Sequence, residues 1–379
     1  MLKLLITLTL LAATVLLSGC SEDIPPEGCS ILSWGDRTGG MDAPVLALTA
    51  IGDRMYAGGA FVAVRSDTVN HVAYSSGGSW RGLGGGVIGD GPNVEVRALA
   101  EYAGDVIAGG YFSRAGAESV SNIARWDGDA WHALGGGLDG SVSALAVFDG
   151  KLVVGGGFDH AGDVAAHNIA MWDGSSWAPL GSGTDGRVMV RSLCVFEGKL
   201  IAGGGFTSAS GVAANHVAMW DGAAWAPLGA GTNGPVHVMT ARDEYLIAGG
   251  EFTEAGGAPA NCVAVWDGVS WETLGSGVGS GTGADCVRAL VVHRGGLVVG
   301  GSFTHVGGGT ANNIAVWSRG TWWPVGGHSY GVNDDVCAIA EFTVFPYFGP
   351  DLWFGGEFTV ADGWSTVDHL AILERLGCI

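Results

Sequence analysis

Lys151-Leu-Val-Val-Gly-Gly-Gly-Phe158 is an apolar run closed by a Gly-Gly pair, one free residue and a Phe. Met55-Tyr-Ala-Gly-Gly-Ala-Phe61 repeats the wording, and further copies end at Phe112, Phe206, Phe252, Phe303 and Phe358. A period of about 50 residues is the signature of propellers, solenoids or repeat arrays. Upstream of Lys151, Val142-Ser-Ala-Leu-Ala-Val-Phe148 reads as a strand. Asp149-Gly150 joins the two, and such a pair tolerates the positive φ of a tight hairpin turn. Downstream, a polar loop runs to His167. Asn168-Ile-Ala-Met-Trp172 is a third strand, Asp173-Gly174 opens the next turn, and Trp177-Ala-Pro-Leu-Gly-Ser-Gly183 is a fourth. The unit is a four-stranded antiparallel meander whose strands are apolar on both faces.

Both faces must therefore be covered, and radial stacking of like sheets covers them. The expectation is an all-β chain: a seven-bladed β-propeller of four-stranded antiparallel blades. The third and fourth strands recur almost word for word, as Asn122-Ile-Ala-Arg-Trp-Asp-Gly128 with Trp131, His216-Val-Ala-Met-Trp-Asp-Gly222 with Trp225, Cys262-Val-Ala-Val-Trp-Asp-Gly268 with Trp271 and Asn313-Ile-Ala-Val-Trp317 with Trp322. The first copy keeps only His71-Val-Ala-Tyr74 with Trp80. A Trp buries roughly 150–250 Å², so a ring of them reads as packing between sheets rather than as a ligand cradle.

In these residues the chain resembles the kelch and galactose-oxidase propeller class, which ends its second strand with Gly-Gly and places an aromatic and a Trp in the next two, as Gly155-Gly156, Trp172 and Trp177 do here. The resemblance covers about Cys29 to Ile379. The Trp-Asp pairs are similar to those of the WD-repeat class, but they precede a turn in mid-unit. Repeats of this wording also resemble those of surface-exposed bacterial proteins and fungal cell-polarity proteins. The resemblance implies architecture and carries no activity, because the copper-site Tyr and His pattern of galactose oxidase is not found.

The last repeat lacks a fourth strand after His369-Leu-Ala-Ile-Leu373. Trp34 stands eleven residues before Val45, as Trp131 does before Val142 and Trp225 before Val236. Ile31 to Gly35 is thus expected to complete the seventh blade and leave no open edge. Cys29 and Cys378 then fall near the seam and are a candidate disulfide, permitted by export and worth on the order of 5 kcal/mol in the chain-entropy model. Cys286 and Cys337 begin successive inner strands and form a second candidate pair. Cys194 reads as a buried free thiol.

Residues 1–19 read as a lipoprotein signal peptide. Lys3 supplies the positive start, Leu4 to Leu17 is apolar, and Leu17-Ser18-Gly19-Cys20 resembles a bacterial lipobox with Cys20 as the lipidated residue. Residues 20–28 are a short tether, and 29–379 the propeller. Ser21 after Cys20 resembles an outer-membrane or cell-surface sorting context. The chain has 379 residues with 69 Gly and 15 Trp and a formal charge of -20. So acidic a surface argues against nucleic acid and against direct adhesion to anionic lipid, leaving the lipid anchor as the membrane contact. A monomer is expected.

The residue after the first Val of each inner strand varies: Leu46, Arg97, Ser143, Arg191, His237, Arg288 and Cys337. Three arginines and a histidine at one repeat position are unexpected in an acidic chain. Guanidinium groups converging at one mouth of the channel suit carboxylate or phosphate, so Arg97, Arg191, His237 and Arg288 are the ligand-binding candidates. The alternative is local pairing with Asp90, Asp185 and Asp285. Asp42, Asp90, Asp139, Asp185, Asn233, Asp285 and Asp334 recur in the connections into the inner strands. Turn capping explains them better than a ring of calcium ligands. His71, His167, His216 and His369 recur near the third strands and read as loop fasteners, and His160 and His167 lack a third zinc ligand. Two Gly-x-Gly-x-x-Gly strings, Gly181–Gly186 and Gly229–Gly234, precede strands rather than helices and so are turn glycines. No metal, cofactor or catalytic set is expected. The functional expectation is a binding or scaffold propeller for an acidic peptide, protein or glycan. The alternatives are a glycan lyase or hydrolase using the same mouth, and plain structural display.

Overall fold

The computed structural model describes residues 30–35, 40–76, 79–186, 189–279, 285–325, 331–343, 350–361 and 365–377. Cys20, Cys29 and Cys378 lie outside the described residues. Every regular element among those described is a strand. Seven four-stranded antiparallel sheets form the blades of a propeller, and each blade also carries a small hairpin between its second and third strands. The third blade is representative: Ser141–Phe148, Lys151–Gly157, Ile169–Trp172 and Trp177–Pro179 pair in chain order. Its fourth strand is shorter than the sequence suggests, because Gly181 and Gly183 adopt positive φ and turn the chain away. The turn at Asp149-Gly150 has positive φ at both residues, as its composition demands.

The inner strands contact one another around a closed ring. The seventh blade draws its strands from both ends of the chain: Val336–Phe342, Asp351–Gly356, Leu370–Gly377 and Ser30–Gly35. Trp34 lies opposite Leu373 and Ser30 opposite Gly377, so the N-terminal strand closes the ring as expected.

The Gly-Gly pair has two separate physical causes. In each blade the inner strand carries a β-bulge. Val142 pairs with Gly156 and Ala144 with Gly155, leaving Ser143 without a partner. The bulge presses the inner-strand backbone onto the second glycine: a Cβ on Gly156 would lie far inside van der Waals contact with the Ser141 carbonyl oxygen. The first glycine faces the neighbouring blade. A Cβ on Gly155 would stand 2.6 Å from Val190 Cγ1, and one on Gly355 would stand 2.5 Å from Val45 Cγ1. The last relation runs across the seam, so blades seven and one pack as the others do.

Hydrophobic clusters lie between blades rather than within them. One joins Ile107, Ile123 and Leu134 to Val142, Val154 and Phe158, and another crosses the seam from Met55 and Trp80 to Trp353 and Ile372. In blades two to six the indoles are paired within the blade at 5.1–5.5 Å between ring centres, as Trp172 with Trp177 and Trp126 with Trp131, whereas Trp80 meets Trp353 across the seam at 5.9 Å. Trp225 Nε1 donates to the Leu180 carbonyl of the preceding blade at 2.9 Å, and Trp271 does the same to Leu228. The tryptophans are packing residues.

Candidate functional site

Each bulge ejects one residue from the ladder. These residues are Leu46, Arg97, Ser143, Arg191, His237, Arg288 and Cys337. They are the seven variable positions of the sequence. A bulge re-aims its side chain and frees it from cross-strand packing. The flanking valines are fully buried, whereas Arg191 and Arg288 are exposed.

The four candidates meet in one region but not on equal terms. Arg97 is held by Glu95 of its own strand at 2.6 Å, and its Nη1 reaches to 4.0 Å from Met189 Sδ in the fourth blade. Arg288 faces Asp335 of the seventh blade at 3.3 Å. Arg191 has no carboxylate within 4.0 Å among the described residues; its Nη1 donates instead to His237 Nδ1 at 2.7 Å. A guanidinium has no acceptor, so this bond assigns the imidazole proton to Nε2. That nitrogen is buried without a hydrogen-bond partner among the described residues, with Glu251 Oε2 at 3.6 Å. Burial, reinforced by the charges of Arg191 and Arg288, lowers the His237 pKa to about 3. The imidazole is therefore neutral at physiological pH. Burial and the like charges of Arg288 and Arg97 also lower the proton affinity of Arg191, which remains cationic. Among the described residues Arg191 is the arginine of the mouth without an ion-paired carboxylate, the nearby charge of Glu251 offsetting only part of the repulsion from Arg288 and Arg97.

Local pairing thus holds for two arginines, though not with the aspartates named from sequence. Asp185 Oδ1 accepts from the Thr207 and Ser208 amides, both at 2.8 Å. Asp42, Asp139 and Asn233 cap their small hairpins in the same way. In the seventh blade this cap is Asn333 rather than Asp334. The oxygens are spent on backbone donors. His71, Asn122, Asn168, His216, Cys262, Asn313 and His369 all adopt positive φ just before the third strand, a conformation in which Asn and His are enriched. Asn122 and Asn313 then bond the loops around them. His160 and His167 bond Asp139 and Asp159 respectively, so they do not share a ligand.

The second cysteine pair expected from sequence is corrected. Cys286 and Cys337 are free thiols. Cys286 pairs in the ladder with Ser302, one residue before Val287, whereas Cys337 is the bulge residue after Val336. Burial pushes the Cys337 thiol up to about 12 and raises that of Cys286. Cys194 is also free, and its thiol is pushed up to about 11 by burial.

Sequence reasoning missed the free residue of Gly-Gly-x-Phe. In order it is Ala60, Tyr111, Gly157, Gly205, Glu251, Ser302 and Glu357. Three of these stand opposite residues just ahead of the inner-strand valines: Tyr111 opposite Glu95, Gly157 opposite Ser141, Ser302 opposite Cys286. Its variation between fixed neighbours was the available signal.

No family model matches the chain, and no curated protein sequence matches it. Among solved structures it is similar to a computationally designed protein, Ika8, at 15% identity and a TM-score of 0.50, with 89% of this chain and 98% of that one covered. It is also similar to the WD40 β-propeller domain of Doa1, at 14% identity and a TM-score of 0.51, with 88% and 93% covered. Likeness at such identities shows the β-propeller fold alone.

Proposed function

We propose that this chain is an envelope-anchored lipoprotein whose propeller binds an acidic peptide, protein or glycan at the mouth formed by Arg97, Arg191, His237 and Arg288. The observation that carries the reading is Arg191: an exposed guanidinium, ejected by a bulge and without an ion-paired carboxylate among the described residues, in a chain of formal charge -20. An anionic ligand supplies the missing partner, and charge-assisted bonds to a guanidinium are the strong ones. Binding is favoured over glycan hydrolysis or elimination because Glu95 and Asp335 are each tied to an arginine rather than directed at a common point. Export and lipidation rest on the residue pattern ending at Cys20, and the Cys29–Cys378 disulfide on the pairing of Ser30 with Gly377 beside it. The Gly-Gly wording supports a kelch-like origin of the blades.

Charge reversal tests the site. Arg191→Glu with Arg288→Glu is expected to abolish capture of an acidic partner from envelope extract while the thermal midpoint holds; unchanged capture rejects the mouth. Cys20→Ala is expected to move the protein from the membrane to the soluble fraction.

A further inference from the structure

The mouth is uneven, and its unevenness points to a ligand class. Around Arg97 and Arg191 the third blade is low. Its residue before the valine, its bulge residue and its free residue are Ser141, Ser143 and Gly157, all small. The blades on either side are tall. The second carries Tyr111, 49% exposed, opposite Glu95, to which Arg97 is ion-paired, and the fourth carries Met189 and Arg191. A Cβ on Gly157 would sit 3.1 Å from Met189 Cγ, so this face of the third blade looks toward the fourth. Tyr111 holds the position of the second blade that Gly157 holds in the third, opposite Glu95 as Gly157 is opposite Ser141. The inner side of the gap is spanned by Arg97, whose Nη1 lies 4.0 Å from Met189 Sδ, and Ser143 Oγ lies 3.5 Å from the same sulfur. Asp335 and Glu357 of the seventh blade lie beside Arg288 and Cys337 and repel an anion there, while Glu251 stands on the far side of His237 from Arg191 Nη1, bonding neither arginine.

We infer that this saddle over the third blade binds the uronate unit of an acidic saccharide. The inference rests on the reading of the mouth as an anion site and narrows it. An exposed aromatic ring offers a platform for the apolar face of a pyranose. Ser141 offers its hydroxyl to a sugar hydroxyl, and Gly157 opposite it leaves room for the ring outside the Arg97–Met189 span. Arg191, bonded through Nη1 to His237 Nδ1, binds the carboxylate. A peptide is disfavoured because the saddle offers no sheet edge for strand addition and its small, polar floor offers no deep apolar pocket for a side chain.

The experiment is calorimetric titration of the full chain with trigalacturonate, its methyl ester and triglutamate. Trigalacturonate is expected to bind, and the uncharged ester to bind at least about tenfold more weakly, since one charge-assisted bond is worth that much. Tyr111→Ala and Arg191→Gln should each weaken trigalacturonate by about tenfold or more without moving the thermal midpoint, whereas Glu357→Gln should not weaken it. If triglutamate binds and trigalacturonate does not, or if Tyr111→Ala leaves trigalacturonate affinity unchanged, the saccharide inference falls and the anion site stands. If neither anion binds and charge reversal at Arg191 and Arg288 leaves capture from envelope extract unchanged, both readings fall.

Discussion

The glycines of the Gly-Gly pair and the bulge residue facing them occupy the same few ångströms of each blade, yet the glycines are the same in all seven copies and the bulge residue is of five different types. Gly155 and Gly156 are hemmed in by Val190 of the next blade and by the Ser141 carbonyl. Ser143, between the two residues that pair with them, has no ladder partner. The backbone distortion that forbids a side chain on one strand releases a side chain on the other. A repeat built this way keeps its packing constant while leaving the bulge position of each blade open to variation.

That comparison breaks first at Gly156. Gly156→Ala places a methyl group against backbone, which cannot rotate away, and is expected to leave no folded protein by circular dichroism. Gly155→Ala meets only side chains, chiefly Val190 and then Leu193, and should cost about 1–3 kcal/mol in denaturant unfolding. Shortening Val190 to Ala in the same chain should return part of that loss.

His237 sharpens the comparison because it is a bulge residue with a buried side chain. Its folded pKa of about 3 lies below the ordinary 6.5. Between those values the unfolded chain holds the proton and the folded chain does not. Its contribution is therefore full above pH 6.5 and is lost as pH falls toward 3, at up to about 1.4 kcal/mol per pH unit. His71 and His216, also lowered chiefly by burial, add in the same direction. Urea unfolding at stepped pH should show His237→Gln with a shallower acid limb than the parent.

The smallest effect is expected where the bulge is free. Ser143→Ala and Leu46→Ser should each change unfolding free energy by about 0.5 kcal/mol or less. A loss comparable to that of Gly155→Ala would mean that these positions are packed after all, and the division between fixed and variable residues would fail.

The architecture was legible in the chain because it rests on local rules repeated seven times. Asp149-Gly150 gives a hairpin turn whatever surrounds it. The spacing of Trp34 from Val45 matched the other copies closely enough to assign the closing strand. The variable residues were also legible as a set, since Arg97, Arg191, His237 and Arg288 share one position. Their individual fates were not. Nothing in the spacing of Arg288 separates Asp285 from Asp335 as a partner, and nothing near Cys286 and Cys337 shows that one precedes the bulge and the other occupies it.

By itself, then, the sequence determined the repeat, the blade, their number and the seam, because each follows from turn chemistry and alternating burial over a few residues. Only the tertiary structure decided which cations are neutralised, which histidine is buried and that the third blade is low between two tall ones. Those properties belong to side chains on different blades, brought together by the curvature of a closed ring. Their energies depend on separations of a few ångströms that linear spacing does not encode.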